Sequence, residues 1–175
     1  YDLTVNYYLF ANYTYFKNYY ESDQFNKAFT MLQVLLNKQF TVHHFNLYAE
    51  VAYQQPTGSP PLHVPRFWTR ERLTYENLLF KNHLQLCTGI EMRYNSNYYA
   101  DDYSPLLAHF VSQDTALIKN MPEAVAFVNF RIRAFTAYVR AERLNNFLYN
   151  NNFAAPHYPY PDFGMRIGVK WGFIN

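Results

Sequence analysis

The chain has 175 residues, half of them apolar, yet its mean hydropathy is negative and its net charge is only +2. No apolar run approaches the ~18 residues a membrane helix requires, and neither the charge nor any basic cluster points to nucleic acid. A single cysteine, Cys87, excludes an internal disulfide framework, and the length sets the expectation of one domain over 1–175.

Period-2 alternation runs through the chain from its start. Residues 2–16 put Leu3, Val5, Tyr7, Leu9, Ala11, Tyr13 and Tyr15 on one face of a strand. A polar loop follows, then Leu32, Val34 and Leu36, with a tight turn expected at Asn37 and Lys38. Phe45, Leu47, Ala49, Val51 and Tyr53 alternate next, and the proline-rich stretch 56–65 cannot be central sheet. Leu73, Tyr75 and Leu79 alternate with Arg70, Arg72, Thr74 and Glu76. A turn at Lys81 and Asn82 leads to Leu84, Leu86, Ile90 and Met92. Beyond a connection over 95–121, residues 124–132 and 135–141 form two strands around a turn near Arg133. After a final loop, Met165, Ile167, Val169, Trp171 and Phe173 alternate with glycine, Arg166 and Lys170.

Eight strands result, and their connections alternate between long and short. A membrane barrel has that reason to place short turns at one end and long loops at the other. One face collects Arg70, Arg72, Arg93, Arg131, Arg140, Arg166 and Lys170 with Glu50, Glu76, Glu91 and Glu142. Charges at mid-strand are costly unless wet or paired, which suits an aqueous lumen. The alternative is a soluble antiparallel sheet with its polar face in solvent. Aromatics are 21% of the chain. Tyr13, Tyr15, Tyr53, Phe67, Trp68 and Tyr94 fall toward the long loops; Phe40, Phe80, Phe130, Phe135, Trp171 and Phe173 fall toward the short turns. Two such bands are what two headgroup layers favour. The fold expected is therefore all-β, an antiparallel transmembrane β-barrel.

The segments NLYAEVAYQQ, LHVPRFWTRERLTYENLLF, GIEMRYNSNYYADDYSPLLAHFVSQ and YPYPDFGMRIGVKWGFIN resemble a beta-barrel porin family of Bacteroidota outer membranes. The resemblance runs from about residue 29 to the end. It implies an integral outer-membrane barrel larger than eight strands, with this chain as its C-terminal portion, loops outside and the C-terminus in the periplasm. Starting at Tyr1 inside an alternating segment fits that expectation. Lipid and lipopolysaccharide are then the surroundings, with a homo-oligomer or other outer-membrane subunits as partners.

A search for catalytic chemistry returns none. His43 and His44 are expected on opposite faces of a strand, which cannot jointly chelate a metal. Asp101, Asp102 and His109 could be nominated as rim acids and base, though a solvated loop or an inward-folded constriction explains them as well. No glycine cradle for phosphate exists, and no cofactor or metal is expected. The expectation is a non-enzymatic channel for small hydrophilic solutes. Its lining residues would be Arg70, Arg72, Glu76, Glu91, Arg93, Arg131, Arg140, Glu142, Arg166 and Lys170. With Glu50 of the same face counted, seven cations against four acids imply a weak anion preference. A blocked barrel serving as a scaffold subunit is the alternative.

Overall fold

The computed structural model describes residues 1–119, 122–148 and 153–172. Its strands are β1 (Asp2–Phe10), β2 (Tyr13–Asn18), β3 (Glu21–Phe25), β4 (Phe29–Val42), β5 (Phe45–Pro56), β6 (Phe67–Leu79) and β7 (Leu84–Asn95). They continue with β8 (Asp102–Ser104), β9 (His109–Val111), β10 (Glu123–Ile132), β11 (Phe135–Glu142), β12 (Phe153–Ala155), β13 (Tyr158–Pro159) and β14 (Gly164–Trp171). Eight of them form one antiparallel sheet in the order β1-β4-β5-β6-β7-β10-β11-β14. The remaining six pair as small hairpins within the long connections. Among the described residues the sheet is open: β1 pairs only with β4, and β14 only with β11.

Three short turns lie at one end of the sheet. They are His43–His44, Phe80–His83 and Arg133–Ala134, and each begins on a residue with positive φ (His43 53°, Phe80 51°, Arg133 52°). The expected turn at Asn37–Lys38 is displaced to His43–His44. Residue parity continues unbroken through it, with Asn37 opposite Glu50 and Lys38 opposite Ala49. The two histidines therefore occupy a turn and not two faces of a strand. The expected first strand is also shorter. Asn12 at φ 52° breaks it, and residues 13–25 fold back as the β2–β3 hairpin. Tyr13 and Tyr15 thus belong to a loop and not to a girdle.

Register gives the inclination of the strands. The first short hairpin ends at Val42↔Phe45, a row that continues through Tyr75, Thr88, Val128 and Val139. The third ends at Ile132↔Phe135, four residues beyond that row and four strand steps away. One residue of stagger per strand, ~3.3 Å against ~4.8 Å of spacing, is a tilt of about 35°, as in barrels.

Burial is inverted with respect to a soluble sheet. The apolar face is open, with Leu9 and Ile167 71% exposed and Trp171 63%. The buried strand residues fall mostly on the polar face: Ala52, Thr74, Val125 and Glu91 are each at most 3% exposed. Such an apolar expanse far exceeds what a soluble monomer leaves uncovered. Tyr53, Phe67 and Tyr94 lie on it toward the long loops, while Phe40, Phe130, Phe135 and Trp171 lie toward the short turns. Trp68 does not join them; it pairs with Ala52 and Asn95 on the polar face. Phe173 lies outside the described residues.

Candidate functional site

All ten residues expected to line a lumen sit on one face of the sheet. Arg70 lies opposite Arg93, Arg72 opposite Glu91, and Glu76 opposite Cys87. Arg131 lies opposite Thr136, Arg140 opposite Arg166, Thr136 opposite Lys170, and Glu142 opposite Gly164. The strand register adds two acids to that group, Asp2 opposite Asn37, where the alternation of the first strand also puts it, and Glu123 opposite Arg93. Glu123 is the first residue of its strand, where alternation has too few neighbours to show itself. The face therefore carries seven cations and six acids.

Two carboxylates organise the arginines. Glu91 is almost fully buried; it accepts from Arg93 Nε at 2.9 Å and Arg70 Nη2 at 3.3 Å. Arg93 also reaches Glu123 at 4.0 Å. Glu142 holds Arg140 at 3.0 Å, Arg166 at 3.1 Å and Arg143 at 3.9 Å. Arg143 comes from just beyond β11, a position that no strand periodicity marks. Removing either carboxylate would leave crowded like charges, since charged hydrogen bonds are the strong ones.

Aromatic rings fill the space between these clusters. The Arg72 guanidinium lies 4.7 Å from the centroid of Phe127, a cation–π contact. Phe127 covers Gly89, where an added Cβ would stand 2.2 Å from the Leu73 carbonyl oxygen. Tyr138 covers Gly168 so closely that a Cβ would fall 2.2 Å from its ring. Between Arg166 and Lys170 the last strand thus receives a ring at Gly168.

The β1–β4–β5 part of the face is held mainly by uncharged groups. Asn6 and Tyr8 both donate to Gln33 Oε1, Gln33 donates to Gln54 at 3.2 Å, and Gln54 donates to the Pro65 carbonyl at 2.9 Å. Nearer the short turns, Gln39 donates to Tyr48 and Thr41 donates to Asn46 at 2.7 Å.

The long connections close over one end of the polar face. Tyr160 meets Arg70, Arg93, Glu123 and Arg143 around a cavity of about 290 Å³. Burial, and then the charge of Glu123, raise the Tyr160 phenol above its ordinary value, so it stays a neutral hydroxyl. Asp102 ties the connections together, accepting from Tyr19 Oη, from the Tyr103 amide at 2.9 Å, and facing His157 Nδ1 at 3.3 Å. Beside it Asp101 faces His63 Nδ1 at 2.7 Å. His109 is not part of this group: its ring stacks on Phe16 at 3.7 Å. The nominated trio of Asp101, Asp102 and His109 is therefore divided among separate contacts. Among the described residues no helix is long and apolar enough to cross a membrane, which leaves open a crossing by strands.

A family model described as "Putative porin" matches residues 1–175, the whole chain. The chain belongs to that porin family. No curated protein and no solved structure matches it. Membership gives this porin a porin-like role in general and suggests the outer membrane as its setting. The all-β sheet agrees with a segment of barrel wall.

Proposed function

We propose that this porin forms the wall of an outer-membrane channel through which small hydrophilic solutes diffuse passively, with a weak preference for anions. The observation that carries the reading is the inverted burial. The polar face holds most of the buried strand residues, Glu91, Thr74, Gln54 and Glu142 among them, with most of its cations open to solvent, and the face bearing Leu9, Ile167 and Trp171 is exposed. In lipid the apolar side chains of the exposed face cost nothing, and the polar face has water or partners. The short turns then face the periplasm and the long connections the exterior, in a Bacteroidota-type outer membrane. No catalytic step is assigned to it.

The anion preference rests on how the charges are grouped and not on the near-equal total. Glu142 is surrounded by Arg140, Arg143 and Arg166, an excess of two positive charges in one cluster. Fixed charge along a pore biases permeation toward its counter-ion. Reversal potentials across a planar bilayer under a salt gradient test this, with a modest anion-selective value expected; a cation-selective value would refute it.

One observation favours a second reading. The 96–122 and 143–163 connections cover the arginine face at Tyr160 and converge on Asp101 and Asp102. A barrel closed in this way could serve as a scaffold for surface or periplasmic subunits. Absent conductance together with stable co-purifying subunits would support that reading.

A further inference from the structure

The outward face of the strands carries two charges, and they stand in one row. Register places Lys38 opposite Ala49, and Ala49 opposite Glu71. Neither lies at an edge of the apolar band. On β4, Leu32, Val34 and Leu36 precede Lys38 on the outward face, and Phe40 and Val42 follow it. On β6, Phe67 and Thr69 precede Glu71, and Leu73 and Tyr75 follow it. The Lys38 ammonium lies over the rings of Tyr1 and Phe40 at 5.2 Å and 5.1 Å. The Glu71 side chain makes no hydrogen bond or ion pair among the described residues.

A carboxylate facing hydrocarbon without a partner is expensive, and charged residues at such depth face protein or water. We propose that the outer face of β4, β5 and β6 is the contact between two copies of this porin. They are related by a two-fold axis along the membrane normal that passes over Ala49. The proposal rests on the membrane reading given above. The two charges are self-complementary about that point: rotation brings each copy's Glu71 to the side of the other's Lys38. An isologous contact pairs residue i with j and j with i in this way. Two strand spacings at a tilt of about 35° offset the partners in depth by about 6 Å, within the reach of a lysine side chain. Ala49, between them, has a methyl group small enough to let the two walls meet.

Charge reversal separates this arrangement from a lysine and glutamate that pair within one copy. Glu71→Lys alone sets lysine against lysine, and Lys38→Glu alone sets glutamate against glutamate. Each should raise the dimer dissociation constant by at least about tenfold. The double reversal, and an equimolar mixture of the two single variants, should both return the dimer, because the mixture restores both contacts in trans. The measurement is native mass spectrometry of the full-length protein in detergent. Self-cross-linking of Ala49→Cys in a Cys87→Ser background, in intact membranes, provides the second readout. A monomeric wild type, single variants that dimerise normally, or a mixture that stays monomeric while the double reversal dimerises would each overturn the proposal. So would a trimer. Extraction without detergent would instead sink the membrane reading itself, and a detergent-requiring monomer would sink the dimer alone.

Discussion

Across β1, β4 and β5 the polar face holds itself together with amides, hydroxyls and tyrosines, and its charges are Asp2 and Glu50. From β6 to β14 the same face carries seven cations against Glu76, Glu91, Glu123 and Glu142. Both halves satisfy the rule that covered polar groups find partners, but the first carries two acids and no cation where the second carries an excess of three cations. The amide network of the first half fixes register with uncharged groups. The arginine half combines two tasks, since each carboxylate that anchors its arginines also subtracts from the positive potential. Substitutions should therefore change stability alone on one side and stability with selectivity on the other.

The largest effect expected is that of Gly89→Ala. The new methyl would meet the Leu73 carbonyl, a backbone atom, so the β6–β7 pairing must shift. A cost of about 3 kcal/mol follows from overpacking, read as a fall in thermal midpoint in detergent. Glu91→Gln comes next. Arg70 and Arg93 are about half exposed and partly screened, which lowers the expected cost to about 2 kcal/mol. Its signature is a second readout: reversal potentials should move toward stronger anion selectivity.

Gln33→Leu breaks the amide network of the first half in the corresponding way. It removes contacts to Asn6, Tyr8 and Gln54, costs about 1 kcal/mol, and should leave reversal potentials unchanged. A selectivity change there would erase the distinction between the halves. Arg140→Gln with Arg166→Gln should do the reverse. Both side chains are partly exposed, so stability should fall by only about 0.5 kcal/mol while the anion preference weakens or disappears.

The smallest effect lies in the β2–β3 hairpin. The Gln24 amide and then the Tyr15 hydroxyl hold the Asp23 carboxyl below its ordinary value, with Lys17 adding to them. A depressed carboxyl stabilises the hairpin above its unfolded value and loses that support as pH falls through the folded one. The Asp23 carboxyl carbon shift should titrate lower in the wild type than in Tyr15→Phe.

The sheet was readable from sequence because its two faces differ at nearly every step, so parity alone recovers all eight strands and the common face of the ten charged residues. Parity also exposes the errors. Asn37–Lys38 has turn-like composition, yet both residues keep their places in the alternation, one inward and one outward. Trp68 was assigned by its chemistry to an interface, whereas its even number puts it beside Arg70 and Arg72. The meeting of Tyr160 with Arg93, and of Asp102 with Tyr19 and His157, joins loops up to 83 residues apart. No local pattern encodes such contacts. Tyr138 over Gly168 is intermediate: each residue was visible, but their pairing required the register of β11 against β14.

The stagger of the strands has a consequence for how a solute would meet the arginines. On the ladder Arg70 and Arg166 are four residues out of step, since Arg70 shares a row with Arg93 while Arg166 shares one with Arg140 and Gly89. Four strand steps separate β6 from β14, and the tilt lowers the level line by one residue at each. The mismatch cancels. Arg70, Glu91, Glu142 and Arg166 come to one height above the short turns, as a belt and not a staircase. An anion moving along this wall from the long-loop side would meet that belt first, and then Arg131 and Lys170 nearer the short turns.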